Sequence, residues 1–445
     1  MNKNSFKKYM KQGLGKCYLT LTIDKNINKY KDIVLWGCLN NLSYDNQCEG
    51  TRSDYVYNLL KIYNDEEYFV NPIIEKFNKV SYRNDHLFSH LSELVRNFAM
   101  DGNEKAKIAL ESKYQELLIK LLSSKYKKGY DFKRDAFEHI AIILYSINND
   151  NLLKIISDMG VLFFVNHYYN IEDFDYFCFT ICDDLGENKF KRLLKRESKN
   201  SIYVGFFEYC YLRSLNENDV REDTKKEDLK TEDIISELNE NNILSPLSKI
   251  RFRRKADELE KIEFAKMIVE ETDLNKKAEM LSVFACKEVF PLNHDIIIEY
   301  SKLSNEKLKE ISLNVLTNLR SELVEKYAVD LLKEDYNNES AIQMLIFNYK
   351  PKYKECLLSI LNSLKVDYNE DIWHAVGIKI IDAYEQNIRL PKEVYMYVYN
   401  NTLCSCCRYE IVRILAKHKW LSKDIIEECR YDSNIDIVKY INRYY

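Results

Sequence analysis

The sequence predicts an all-α protein, and three observations predict it. Turn residues are nearly absent: 10 Gly and 5 Pro in 445 residues, against average usage of roughly 7% and 5%. Strand-rich folds need such residues at their hairpins. The one Asp-Gly, Asp101-Gly102, lies between two helical patterns and reads as a helix stop. Apolar residues recur at steps of three and four, the period of one helix face. In the last third of the chain, these amphipathic segments restart every thirty-odd residues.

That regular stretch, 305–445, sets the architecture. First helices are expected to begin near Asn305, Asn337, Glu370, Cys404 and Asn434, at successive steps of 32, 33, 34 and 30 residues. Second helices are expected near Ser321, Pro351, Pro391 and Ser422, each after a connector of a few residues. Pro suits the first helical position, where its missing N–H costs nothing, and Ser is a good N-cap. After Asn305, residues Leu308, Ile311, Val315 and Leu319 share a face; after Pro351, residues Cys356, Leu357, Ile360, Leu361 and Leu364 form a stripe. Each stripe must be buried against another helix, and short connectors make neighbours antiparallel.

These helix pairs resemble the HEAT/armadillo-like α-solenoid proteins, and most of all the bacterial HEAT-like proteins with short repeats. The step is shorter than the usual 40–47 residues, and the Trp/Gly/Tyr signature of the 34-residue tetratricopeptide repeat is missing. The resemblance implies a right-handed α-α superhelix with a long concave surface and no deep polar pocket. It also carries a rival, since the alkylpurine DNA glycosylases share a HEAT-like fold. Their catalytic Asp with aromatic neighbours has one place to be sought here, Asp371 near Trp373.

In chain order, 5–24 reads as an opening helix with Gly13 and Gly15 as a weak point; a strand over 17–23 is the minority alternative. Helices follow over 29–42, 49–63, 65–79, 84–100 and 103–122, then four or five between 131 and 215, unusually aromatic around 163–179. Residues 216–242 hold ten acidic and four basic residues and few large apolar ones. Such a segment buries too little surface to offset its ordering entropy. It is expected to be an exposed linker, or a solvated helix over 231–239. A long helix over 246–271 leads into the ladder. The expected organisation is thus an irregular helical part over 1–215, a linker over 216–245 and regular repeats over 246–445.

The net charge is −4, from 66 basic and 70 acidic residues, which argues against a chain that coats nucleic acid. No apolar run approaches a membrane span, and the N-terminus lacks an apolar signal segment. A cytoplasmic chain with reduced thiols is expected. Of the 12 Cys, Cys38, Cys210, Cys286 and Cys356 sit in apolar stripes, where Cys is a small hydrophobe.

Motifs that carry chemistry are missing. There is no Gly-x-Gly-x-x-Gly, no P-loop and no nucleophile signature around a His. No catalytic residue and no cofactor are expected. Cys404, Cys406 and Cys407, with His418 and Cys429 downstream, offer soft ligands for zinc; they fall on helices that already own an apolar stripe, so packing rather than metal is expected. Cys178 and Cys182, one turn apart, and His374 read as core residues. The loop 40–52 is dense in hydrogen-bonding groups, and its Glu49 and Arg52 form an i, i+3 pair, read as a solvated loop or as a contact for a ligand or partner. Two basic clusters stand out: Lys189, Lys191, Arg192, Lys195 and Arg196, and five of the seven residues 249–255. Solvated faces or intramolecular pairs are the default for both. On a helix Arg251, Arg254 and Lys255 share a face while Phe252 points inward, a plausible anchor for an anionic partner. The candidate binding residues are therefore Arg251, Arg254, Lys255, Glu49, Arg52, Lys191, Arg192 and Lys195. The expected function is a non-catalytic scaffold that binds another macromolecule, a protein before a nucleic acid.

Overall fold

The computed structural model describes residues 1–124, 131–166, 174–221, 231–285, 288–364 and 370–445. Among them every regular element is a helix, and none is long and apolar enough to cross a membrane. The minority strand over 17–23 is the helix Lys16–Ile23, with Cys17 and Leu21 buried one turn apart.

The chain forms two compact units. One comprises Met1–Thr224 and Ser422–Tyr445, the other Lys225–Leu421. The sequence division at 215 and 245 follows repeat pattern rather than contact, and so does not separate the last helices from the ladder.

In the second unit the caps fall where the sequence puts them. Asn305, Ser321, Asn338 and Cys404 are N-caps of Glu306–Leu316, Glu322–Glu334, Glu339–Phe347 and Ser405–Lys417, each accepting from a backbone N–H two or three residues into its helix. Pro351 opens a 3₁₀ turn before Lys354–Ser363, and Pro391 is the extended N-cap of Lys392–Asn401 rather than its first helical residue. Alternate helices pack together: Leu274–Leu281 on Glu306–Leu316, that helix on Glu339–Phe347, the next on Glu370–Glu385, and that on Ser405–Lys417. The second helices do likewise, His294–Tyr300 on Glu322–Glu334 and Lys354–Ser363 on Lys392–Asn401. Leu316, Leu345, Ile360, Ile380 and Leu415 are fully buried between them.

Asparagines tie one pair to the next. Asn318 Nδ2 donates to the Ala285 carbonyl at 3.2 Å, and Asn348 Nδ2 to the Leu319 carbonyl at 3.0 Å while its Oδ1 accepts from Ser321 N–H. Two expectations need correction here. Cys356 lies at the exposed edge of its stripe, which centres on Leu357, Ile360 and Leu361; Cys286 lies outside the described residues. The helix expected over 246–271 breaks at Ala256-Asp257 into Pro246–Lys255 and Glu258–Glu270, because Asp257 and Glu260 form a reciprocal capping box that starts a new helix.

In the first unit the same alternation holds at longer, unequal steps. Ser53–Lys61, Asp85–Met100, Phe132–Ile147 and Asp175–Leu185 pack in sequence, and Glu66–Lys79, Glu104–Ser123 and Asn151–Asn166 form the companion set. One apolar core runs from Phe6 to Tyr211. The last helices of the chain join this unit at its beginning. The weak point at Gly13 and Gly15 separates Lys3–Gln12 from Lys16–Ile23 and is where Ser433 N–H bonds the Gly13 carbonyl at 2.8 Å. A Cβ on Gly15 would lie 1.9 Å from the Glu428 carbonyl oxygen, so only glycine permits this approach. Tyr18 stacks on Tyr431 at 4.1 Å beside it.

Candidate functional site

The acidic segment yields a helix, Thr231–Asn241, with Ile234 and Leu238 buried. It is therefore anchored on one face, not a wholly solvated helix; 222–230 lies outside the described residues.

The expected binding residues separate into three groups. Glu49 and Arg52 are interior: their side chains are 1% and 2% exposed and pair at 2.6 Å. Arg52 also donates to the Lys11 carbonyl, next to Gly13. For these two side chains this corrects the solvated reading; the local ion pair is present, but Arg52 also reaches the Lys11 carbonyl, 41 positions away, a contact that no local pattern reports. The pair is buried and engaged within the first unit.

On helix Glu187–Glu197 the side chains of Phe190 and Leu194 are buried; Lys191 pairs with Glu187 at 2.6 Å, and Arg192 and Lys195 are exposed. On helix Pro246–Lys255, Phe252 points into the core as expected, and Arg251, Arg254 and Lys255 are exposed. Lys249 is engaged, pairing at 2.7 Å with Glu279, which also holds Lys307. Burial pushes the Glu279 carboxyl up, but the two lysines and the Leu244 amide outweigh it and lower its pKa. Lys191, Lys249 and Lys307 are thus used internally.

Asp371 and Trp373 do not share a site. Asp371 is exposed and Trp373 is 1% exposed, since two residues on a helix point to nearly opposite sides. His418 stacks on Trp420 at 4.5 Å, and Cys429 is buried in the other unit. His374, read as a core residue, instead stands beside Cys404 and Cys407.

The surface that resembles a recognition site was not singled out in the sequence. It is the outer face of helix Ile202–Arg221. The inner face of this helix, with Val204, Phe207, Cys210 and Tyr211, is buried against Asn151–Asn166. Gly160 allows the close approach, since a Cβ there would lie 2.0 Å from the Tyr203 carbonyl oxygen. Phe163 and Phe207 stack across the joint at 5.7 Å. The outer face should then be polar, yet it carries Ile202, Phe206, Tyr209 and Leu212, at steps of four, three and three. Ile202 is 75% exposed and Tyr209 is 54% exposed. Phe164, 53% exposed, extends the face, meeting Phe206 edge-on at 5.7 Å and Tyr203 at 6.3 Å. A group of largely exposed aromatic side chains, Phe164, Tyr203 and Tyr209 around the half-buried Phe206, has the composition of an interface centre. What the described side chains of this face offer is apolar and aromatic contact, with the Tyr203 and Tyr209 hydroxyls.

A pattern search for core faces passes over such a stripe, because apolar residues on both sides of a helix read as deeper burial. Its signal was the absence of a polar face. No family model matches the chain, and comparison with curated proteins and with solved structures finds no match.

Proposed function

We propose that this chain is a non-catalytic binding scaffold, a HEAT-like solenoid that recognises another protein through the outer face of helix Ile202–Arg221. The observation that carries the reading is the exposed set Ile202, Tyr203, Tyr209 and Leu212 with Phe164 beside it, backed by the half-buried Phe206. Burying large aromatic side chains in a partner is the usual source of interface hot spots, each worth about 2 kcal/mol or more. The alternate packing of helices in both units suits a solenoid, whose neighbours stack while the outer faces stay available. Duplex DNA is a poorer fit. The basic face of Arg251, Arg254 and Lys255 offers three cations, and three phosphate contacts give only weak, salt-sensitive binding.

The test is a pair of charge insertions, Phe206→Asp and Tyr209→Asp, in the full chain. Tyr209 is exposed, so helicity and melting temperature should hold for Tyr209→Asp. Phe206 is half-buried against the core, so Leu212→Asp, at an exposed site, serves as the second variant if Phe206→Asp lowers the melting temperature. Capture of the native partner should fall by about thirtyfold or more per substitution, the equivalent of 2 kcal/mol. Undiminished capture would remove this face from the function.

A further inference from the structure

We propose that the second unit binds one zinc ion through His374 Nδ1 and the sulfurs of Cys404 and Cys407, with water in the fourth position. These three ligand atoms come from two helices and all lie within 4.8 Å of one another. Cys407 Sγ is 3.5 Å from His374 Nδ1. A tetrahedral zinc with Zn–S of about 2.3 Å and Zn–N of about 2.0–2.1 Å places a sulfur and a nitrogen ligand about 3.6 Å apart, and two sulfurs about 3.8 Å apart. The sulfur–nitrogen edge is thus already at its liganded length.

The sequence supports the same assignment. Cys404 and Cys407 stand at Cys-x₂-Cys spacing, with Cys404 as the N-cap of helix Ser405–Lys417 and its sulfur accepting from Cys407 N–H at 3.4 Å. Elsewhere in this unit the side-chain caps are oxygens, from Asp273, Asn293, Asn305, Ser321 and Asn338 among others. A neutral thiol is a poor replacement for them. A thiolate is a good one, because the helix N-terminus and its N–H groups favour negative charge. Cys404 and Cys407 are 2% and 6% exposed, so two thiolates there would be prohibitively costly without a cation. One Zn²⁺, two thiolates and a neutral imidazole sum to zero charge. Binding releases the two thiol protons. His374 is only partly buried and gives the site its access to solvent. Cys406, although adjacent, is not within the cluster. The ion would clamp helix Glu370–Glu385 to the start of Ser405–Lys417, the alternate helix on which it already packs.

The test uses the full-length chain, reduced and stripped of metal, titrated with Co²⁺ and then Zn²⁺. The expected result is one cobalt per chain, with the visible bands of a tetrahedral site and the near-ultraviolet charge transfer of two thiolates, displaced by one equivalent of zinc. Cys404→Ser and Cys407→Ser should each weaken binding by at least about a hundredfold, since even outer-shell changes cost ten- to a hundredfold. Cys404→Ser leaves a good N-cap, so its helicity should be retained. Cys48→Ser and Cys356→Ser, at exposed cysteines, should bind as the parent does. On the parent chain itself, zinc should raise the melting temperature and a chelator should reverse the rise. Failure to bind a stoichiometric ion, a non-tetrahedral spectrum, or full binding by the Cys404→Ser/Cys407→Ser chain would overturn the assignment.

Discussion

Replacing Glu138 by Gln should abolish a pH dependence that the fold builds into the first unit. Glu138 lies on helix Phe132–Ile147, is 9% exposed, and accepts the Phe177 N–H at 2.6 Å, holding the first turn of Asp175–Leu185. Burial pushes its carboxyl up from 4.5 to about 7, against the opposing pull of the Phe177 amide and the Arg134 guanidinium. A carboxyl with a raised folded pKa keeps its proton longer in the folded state than in the unfolded one. Stability must therefore fall as pH rises from about 4.5 to about 7, and level off above that. At 1.36 kcal/mol per pH step, the full loss is roughly 3 kcal/mol, of which about 2–3 kcal/mol falls between pH 5 and pH 8. Gln keeps the acceptor for Phe177 and carries no charge. In urea titrations the variant should match the parent within about 1 kcal/mol at pH 5 and exceed it by about 2–3 kcal/mol at pH 8. Amide exchange over 175–185 should slow in the variant at pH 8 by the corresponding factor. Parallel stability curves for the two chains would refute the reasoning and mean that Glu138 is ionised throughout, held by Arg134.

Other expectations follow from packing and charge. Leu345→Ala, at a fully buried position, should cost about 2–5 kcal/mol, with hydrogen exchange loosened mainly in the neighbouring helix pairs; uniform loosening of the whole chain would count against nearest-neighbour stacking. Gly15→Ala forces a Cβ to within 1.9 Å of the Glu428 carbonyl and should cost at least about 1–3 kcal/mol, read as faster exchange over 423–444. Charge reversal of Arg251, Arg254 and Lys255, all exposed, should leave stability within about 1 kcal/mol. The parent chain should show neither tight duplex-DNA binding at physiological salt nor release of alkylated bases.

Local signals in the sequence located most of the helices. The caps Asn305, Ser321, Ser422 and Asn434 mark true helix starts because a side-chain cap is a contact within three residues. The stops at Asp101-Gly102 and the buried set Leu316 to Leu415 are local in the same sense. What escaped was non-local. Arg52 reaches the Lys11 carbonyl 41 positions away, and Ser433 bonds Gly13 beside it. In the cluster of His374 with Cys404 and Cys407 the two cysteines are three positions apart, but the histidine lies about thirty positions away and alternate-helix packing brings it to them. The aromatic face of Ile202–Arg221 was hidden for another reason. Periodicity shows which residues share a face, but it does not show which of two apolar faces the core covers.

The most direct measurement of the central claim is site-specific photocrosslinking in the native cell. A benzophenone side chain would replace Tyr209 in one chain and Lys352, an exposed residue of the second unit, in another. The account predicts a discrete protein adduct from position 209, lost when Leu212→Asp is added at the exposed end of the same row and missing from position 352. An adduct to nucleic acid, or the same protein adducts from both positions, would contradict it.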